Sequence, residues 1–145
     1  MDAQGLAVHA LSLSQPMGYW AGRELGARLA AVFNDALVRA HEHAPTRLVG
    51  LAALPMQAPD LAVQEVDRAR ALPGVRGYYM ATNVLGKDLS DESFFPVYER
   101  IEATGLPLFL HPIFVLARER LERHYLTNLI GNPVETAVAA AHLIF

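Results

Sequence analysis

The chain has 145 residues, of which 52 % are hydrophobic, and a formal net charge of −3, which fits one domain with a sizeable core. It has no cysteine, which excludes disulfides, cysteine-ligated zinc and thiol catalysis, and it has no basic patch of the kind that binds nucleic acid. No apolar stretch reaches the roughly 18 residues of a membrane span, and the first residues lack the features of a signal peptide, so we expect a cytoplasmic, metabolic protein.

Four short apolar runs predict β-strands. They cover residues 8–13, 48–54, 75–80 and 106–110. The runs are nearly continuous rather than alternating, which is typical of strands buried on both faces in a parallel sheet.

Helical periodicity fills the segments between these runs. Apolar residues recur at helical spacing in residues 23–40, 59–69 and 93–105, and Gly105 occupies the position of a C-terminal cap. Strands and helices therefore alternate with a repeat of about 30 residues, which is the rhythm of a parallel α/β fold.

A last helix is predicted from the sequence NPVE, with Asn132 as its N-cap, Pro133 in the first turn and Glu135 three residues after the cap. The chain begins with MDAQG, which looks like the end of a helix, and it stops at AAAHLIF without a cap. Four βα units are half of a TIM (β/α)₈ barrel, which typically has about 250 residues. We therefore expect residues 1–145 to form a single, incomplete barrel domain that is an internal piece of a larger one.

In such a barrel the chemistry lies at the C-terminal ends of the strands. The residues predicted there are Ser12, Ser14, Gln15, Pro55, Met56, Thr82, Asn83 and His111. The sequence GLPLFLHP ends a buried strand on His111, whose ring can face the barrel axis as a metal ligand or a general base. The alternative is a buried neutral histidine hydrogen-bonded to a nearby carbonyl, and position alone does not separate the two.

The motif HEH contains His41 and His43, and a His-x-His pair often binds zinc. Here the pair ends a predicted helix just before Pro45, where side chains two positions apart diverge by about 200°. The helix dipole also favours histidines at this end. We therefore expect these two histidines to have no metal role, and we expect the same of His9 at the start of a strand, of His124 in a charged helix with the sequence ARERLERHY, and of His142 in the last helix.

Several stretches of the chain together resemble the amidohydrolase-related decarboxylases. They are LAALPMQAPDLAVQEVDRA, GVRGYYMATNVLGKDLSDESFFPVYERIEATGLPLFLHP and YLTNLIGNPVETAVAAAHLIF, and SLSQPMGYWA also fits the family. The group includes aminocarboxymuconate semialdehyde decarboxylase and the resorcylate- and carboxyvanillate-type decarboxylases. The resemblance implies a metal-dependent TIM barrel that removes CO₂ from an unsaturated or aromatic carboxylic acid without redox chemistry.

The resemblance also implies a ligand set for a divalent metal, zinc in the first place and manganese as the alternative. In the family a His-x-His pair on the first strand, the histidine of the HP strand and an aspartate near the last strand hold the metal. Only His111 matches one of these positions; the pair would precede Met1, and the aspartate and a catalytic histidine would follow Phe145. We therefore expect this chain alone to be inactive or very weakly active.

Three polar residues near the strand ends are predicted to contact a small-molecule carboxylic acid: Asn83, Tyr125 and Asn128. As alternatives, they are ordinary packing, helix-surface or turn residues. Two other functions stay open from the sequence. One is a hydrolase of a lactone or cyclic carboxylate in the same superfamily, and the other is a non-catalytic α/β domain that associates through its sheet edges. A half-barrel leaves those edges uncovered, so we expect a homo-oligomer.

Overall fold

The computed structural model describes residues 1–14 and 17–145. Four strands form one parallel sheet in the order β1, β2, β3, β6. They are β1 (His9–Leu11), β2 (Leu48–Ala53), β3 (Val75–Ala81) and β6 (Leu108–His111), and a small antiparallel hairpin, β4 (Asn83–Val84) and β5 (Lys87–Asp88), follows β3. The four predicted strands are confirmed, with a shorter first strand and a last strand that includes His111.

Three helices connect successive strands and cover one face of the sheet: α1 (Arg23–His43), α2 (Pro59–Arg70) and α3 (Phe95–Thr104). Two more, α4 (Arg118–Leu121) and α5 (Asn132–Ile144), follow β6. The predicted cap at Gly105 is confirmed, since this glycine follows α3 with a φ of 69°. Within the described residues, no helix combines the length and the apolar character that crossing a bilayer requires.

The core lies between the sheet and helices α2 and α3. Tyr78 and Met80 of β3 are fully buried, and they belong to the same apolar cluster as Val66 of α2 and Val97 of α3. The Tyr78 hydroxyl also donates to the Val66 carbonyl at 3.2 Å. Burying each such apolar side chain stabilises the fold by about 1.5–3 kcal/mol. The architecture is a partial TIM barrel, with helices on the outer face of a parallel sheet.

A buried polar cluster ties α1 and α2 to the end of β2. The side chain of Asn34 donates to the Ala53 carbonyl and accepts from the Ala53 N–H, both at 2.9 Å. It also donates to Glu65 at 2.5 Å, and Glu65 accepts two further hydrogen bonds from Arg68, both at 2.8 Å. These contacts fix how two helices approach the strand.

The prediction of Asn132 as an N-cap is wrong. Asn132 has helical dihedral angles, φ −62° and ψ −46°, because a π-helical turn at Thr127–Gly131 runs directly into α5. The placement of His124 in a helix is also wrong, since α4 ends at Leu121 and His124 has a φ of 58°. In both cases the backbone between β6 and α5 departs from the simple helix that the local sequence favours.

Candidate active site

His111 is the last residue of β6, and it pairs with Ala81 of β3. Its ring lies 5.6 Å from the ring of Tyr79, measured between centroids, at an interplanar angle of 50°. Successive side chains of a strand point to opposite faces, and the neighbouring Tyr78 points to the helices. The imidazole of His111 therefore lies on the inner face of the sheet, the face opposite the helices.

The Nδ1 atom of His111 is buried and has no hydrogen-bond partner in the described part of the chain. A structural histidine would instead be bonded to a carbonyl, as His41 is through its Nδ1 to the carbonyl of Leu48 at 2.7 Å. Leaving a buried polar atom without a partner destabilises a protein by about 1–3 kcal/mol. A buried imidazole nitrogen without a partner fits a metal ligand or a proton acceptor.

One ligand does not form a complete metal site. Across residues 1–14 and 17–145, no group of three or more histidine, cysteine, aspartate or glutamate side chains is arranged to hold a metal ion. The HEH pair does not add ligands: His41 is bonded at the start of β2, the opposite end of the parallel sheet from His111, and His43 is exposed. Since zinc takes four ligands or three plus water, the residues present fit one ligand of a larger set.

A cavity of about 500 Å³ lies beside His111, within the range of about 300–1,000 Å³ that is usual for small-molecule sites. Its lining includes Arg118, Thr127 and Asn128. Arg118 was not predicted from the sequence. The feature that could have indicated it is the ARER segment, which contains two arginines and lies soon after His111 and Pro112. A guanidinium beside an imidazole suits a carboxylate ligand, because arginine binds carboxylates in a bidentate manner.

The three predicted substrate-binding residues do not lie together. Asn128 lines the cavity next to His111, whereas Tyr125 is 80 % exposed and lies outside its lining. Asn83 is buried and borders a separate cavity of about 310 Å³ together with Glu135. Of the three, Asn128 is therefore the residue best placed to contact a ligand bound next to His111.

Tyr79 shares the inner face of the sheet with His111. Burial raises the pKa of the Tyr79 phenol above its ordinary value, and the nearby Ser12 hydroxyl lowers it in part. The phenol is thus a neutral hydrogen-bond donor on the inner face at physiological pH.

The other residues predicted at strand ends have different environments. Pro55 and Met56 are buried in the core, and Ser14 is exposed. Gln15 lies outside the described residues.

Polar side chains at the end of β3 connect this strand to the segment after His111. The Thr82 hydroxyl accepts from the Ile113 N–H at 3.2 Å, and the Asn83 amide donates to the Ile113 carbonyl at 2.9 Å. Both side chains also donate to one carboxylate oxygen of Glu135, at 3.1 and 3.2 Å. The sequence indicated Glu135 only as a helix-cap residue, because nothing local reveals these distant partners.

The parallel βα units form a partial barrel, and the candidate site lies on its inner face at the C-terminal end of β6. The chain belongs to the amidohydrolase family, whose model matches residues 2–142. It is 36 % identical over 128 residues to the 2-amino-3-carboxymuconate-6-semialdehyde decarboxylase of Dictyostelium discoideum, a match that covers 88 % of this chain and 36 % of the relative. The chain therefore spans about a third of that relative's length.

Two solved structures share the fold. The 5-carboxyvanillate decarboxylase of Sphingomonas paucimobilis superposes with a TM-score of 0.88 at 33 % identity, covering 99 % of this chain and 44 % of that one. The dihydroxybenzoic acid decarboxylase of Polaromonas sp. JS666 gives a TM-score of 0.86 at 28 % identity, covering 99 % and 46 %, and contains manganese and the inhibitor 2-nitroresorcinol. The predicted family resemblance and the partial TIM barrel are confirmed.

Proposed function

We propose that this chain supplies one metal ligand, His111, to a metal-dependent, non-oxidative decarboxylase of an unsaturated or aromatic carboxylic acid. The observation that carries the proposal is the unpartnered imidazole at the C-terminal end of β6, beside a cavity of about 500 Å³. The similar proteins named as decarboxylases, one of them with bound manganese, support it. Zinc and manganese are both candidates for the metal.

The proposed chemistry breaks one carbon–carbon bond. The electron pair of that bond stays on the substrate carbon as CO₂ leaves, and a proton from an acid then replaces the carboxylate. A divalent metal supplies a Lewis acid that withdraws charge from the substrate's oxygens. In this chain His111 would hold the metal, Arg118 would pair with the substrate's carboxylate, and the neutral Tyr79 phenol would donate a hydrogen bond from the inner face.

The metal site is tested by titrating Mn²⁺ into the chain and recording ¹H–¹³C NMR signals of the aromatic rings. Paramagnetic broadening reports even weak binding by a single ligand. We expect the His111 ring to broaden first, together with Tyr79, whose ring centroid lies 5.6 Å away. In the His111→Ala variant the Tyr79 broadening should disappear, whereas His43→Ala, which removes an exposed histidine, should leave it unchanged. Broadening that simply follows exposure, with His43 first, would refute the ligand role of His111.

The second stage of the same titration tests the substrate class. 2,6-Dihydroxybenzoate is added to the Mn²⁺-containing sample, with resorcinol, the same ring without the carboxylate, as the control. We expect the acid, but not resorcinol, to shift the ¹H–¹⁵N signals of Arg118 and Asn128, which are recorded on the same sample. Equal responses to the two compounds would contradict recognition of a carboxylic acid.

We also propose that the chain self-associates. Within the described residues, β1 and β6 each pair with one neighbour only, so both edges of the sheet are free. The inner-face side chain of Phe109 on β6 is 46 % exposed. Free edges and exposed apolar side chains favour association between copies.

Sedimentation velocity over a range of concentrations tests self-association. We expect concentration-dependent oligomers in the unmodified chain and a shift toward monomer in Phe109→Lys, because a charge on an edge strand opposes pairing. Phe95→Lys is the matched control, since Phe95 is similarly exposed (50 %) but lies on α3. A monomer at all concentrations would overturn the proposal.

A further inference from the structure

Glu135 is a buried carboxylate, 6 % exposed, that takes no part in the proposed chemistry. It lies in the first turn of α5, and its side chain reaches the end of β3. One of its oxygens, Oε1, accepts from the Thr82 hydroxyl at 3.1 Å and from the Asn83 amide at 3.2 Å. Burying a carboxylate is costly unless donors compensate, and here two donors converge on one oxygen.

The same two side chains hold the backbone that follows His111. The Thr82 hydroxyl donates its one proton to Glu135, and its oxygen accepts from the Ile113 N–H at 3.2 Å. The Asn83 amide donates to the Ile113 carbonyl at 2.9 Å. Since a carboxylate can only accept, Glu135 determines the direction in which both side chains present their polar atoms to Ile113.

The segment held in this way has little regular structure of its own. β6 ends at His111, whose carbonyl accepts from the Thr82 N–H at 3.0 Å. Beyond it, Phe114 and Ala117 have positive φ angles of 49° and 52°, which non-glycine residues rarely adopt. Such a backbone persists only where surrounding contacts determine it. The contacts to Ile113 are thus the anchor between the end of the strand and the irregular loop.

We propose that Glu135 is a positioning residue: through Thr82 and Asn83 it fixes the His111–Ile113 backbone and so the direction in which the His111 imidazole faces the cavity. The part of this proposal that concerns metal binding, the orientation of His111 as a ligand, rests on the proposed function. Replacing a residue that hydrogen-bonds to a metal ligand and so orients it typically changes metal affinity by about 10- to 100-fold. Glu135 acts one step further away, through the backbone, so we expect the lower end of this range.

The test compares Glu135→Leu with Glu135→Gln, whose side-chain oxygen can still accept from Thr82 and Asn83. In Glu135→Leu we expect the exchange rate of the Ile113 amide to rise at least tenfold, the His111 ring signals to shift, and about tenfold more Mn²⁺ to be needed for their broadening. In Glu135→Gln the Ile113 exchange rate, the His111 ring signals and the Mn²⁺ requirement should all stay close to those of the unmodified chain. The first two measurements need no metal, so they test positioning separately from the proposed function.

Glu65→Leu is the matched control, because Glu65 is equally buried, at 7 % exposed, but bonds to Asn34 and Arg68 on the helix side of β2. It should destabilise the fold without changing the His111 ring signals. If Glu135→Leu does not fold, Thr82→Val, which keeps the side-chain shape, should show the same faster Ile113 exchange. Unchanged Ile113 exchange and His111 signals in a folded variant would overturn the positioning role, even where the unmodified chain binds Mn²⁺ at His111. Absence of selective Mn²⁺ broadening in the unmodified chain would instead overturn the proposed function.

Discussion

Replacement of Gly74 by alanine is expected to lower the free energy of unfolding by about 3 kcal/mol. Gly74 precedes β3 with a φ of +80°, a conformation that costs an L-residue about 1–2 kcal/mol. An added Cβ would also lie 2.6 Å from the Cβ of His41 and closer still to its Cγ. The His41 ring is held by its hydrogen bond to the Leu48 carbonyl at 2.7 Å, so relieving the clash means losing that bond or moving α1. Urea denaturation followed by circular dichroism measures the loss.

Gly105→Ala provides the matched control for this prediction. Gly105 has a similar φ of +69°, but an added Cβ would meet nothing within 4 Å, so only the backbone cost of about 1–2 kcal/mol should appear. Gly74→Ala should cost less stability in a His41→Ala background than in the unmodified chain, since the clash with the ring is then gone and only the contact with the Cβ at position 41 remains. Equal losses in Gly74→Ala and Gly105→Ala would show that the contact with His41 is unimportant.

Asn34→Leu is expected to lower the free energy of unfolding by about 3 kcal/mol as well, for a different reason. Asn34 is fully buried and satisfies both the N–H and the carbonyl of Ala53. Leucine has nearly the same size but no polar atoms, so these buried groups and Glu65 would each lose a partner. The same denaturation experiment measures the effect, and loss of the contact should also weaken the packing of α1 against β2.

Asn128→Leu makes the same chemical change at an exposed position, where the side chain accepts one long hydrogen bond of 3.5 Å from Asn132. It should change stability by less than about 0.5 kcal/mol. If the two substitutions were equally destabilising, the loss at position 34 could not be assigned to the unsatisfied backbone groups of Ala53.

β2 and β3 were predictable because they are largely buried on both faces, which leaves continuous apolar runs in the sequence, and β1 and β6 have similar apolar runs although they are only partly buried. The ends of the strands were less predictable: among the residues that the structure describes, β1 has a ladder partner on one side only, and only His9–Leu11 of the predicted run is paired. The position of His111 at a strand end followed from the sequence. The face it occupies did not, because strand alternation relates His111 to Phe109 but does not say which face meets the helices.

The partners of Glu135 could not be predicted from one sequence. Its contacts with Asn83 and Thr82 span 52 and 53 residues, and only the fold brings the two segments together. The local pattern indicated a capping box with Asn132 instead. That pattern requires a non-helical residue at the cap, and the π-helical turn before α5 removes that condition.

In the part of the chain that the structure describes, β6 is both a free edge of the sheet and the strand that ends in His111. A further strand pairing with this edge would lie about 4.8 Å away, so its inward side chains would arrive beside the imidazole. A slip of one residue would turn all of them to the opposite face. Under the proposed role of His111 as a metal ligand, closing the sheet in the correct register and completing the ligand set would be the same event, and metal occupancy would distinguish a correctly assembled barrel from a misaligned one.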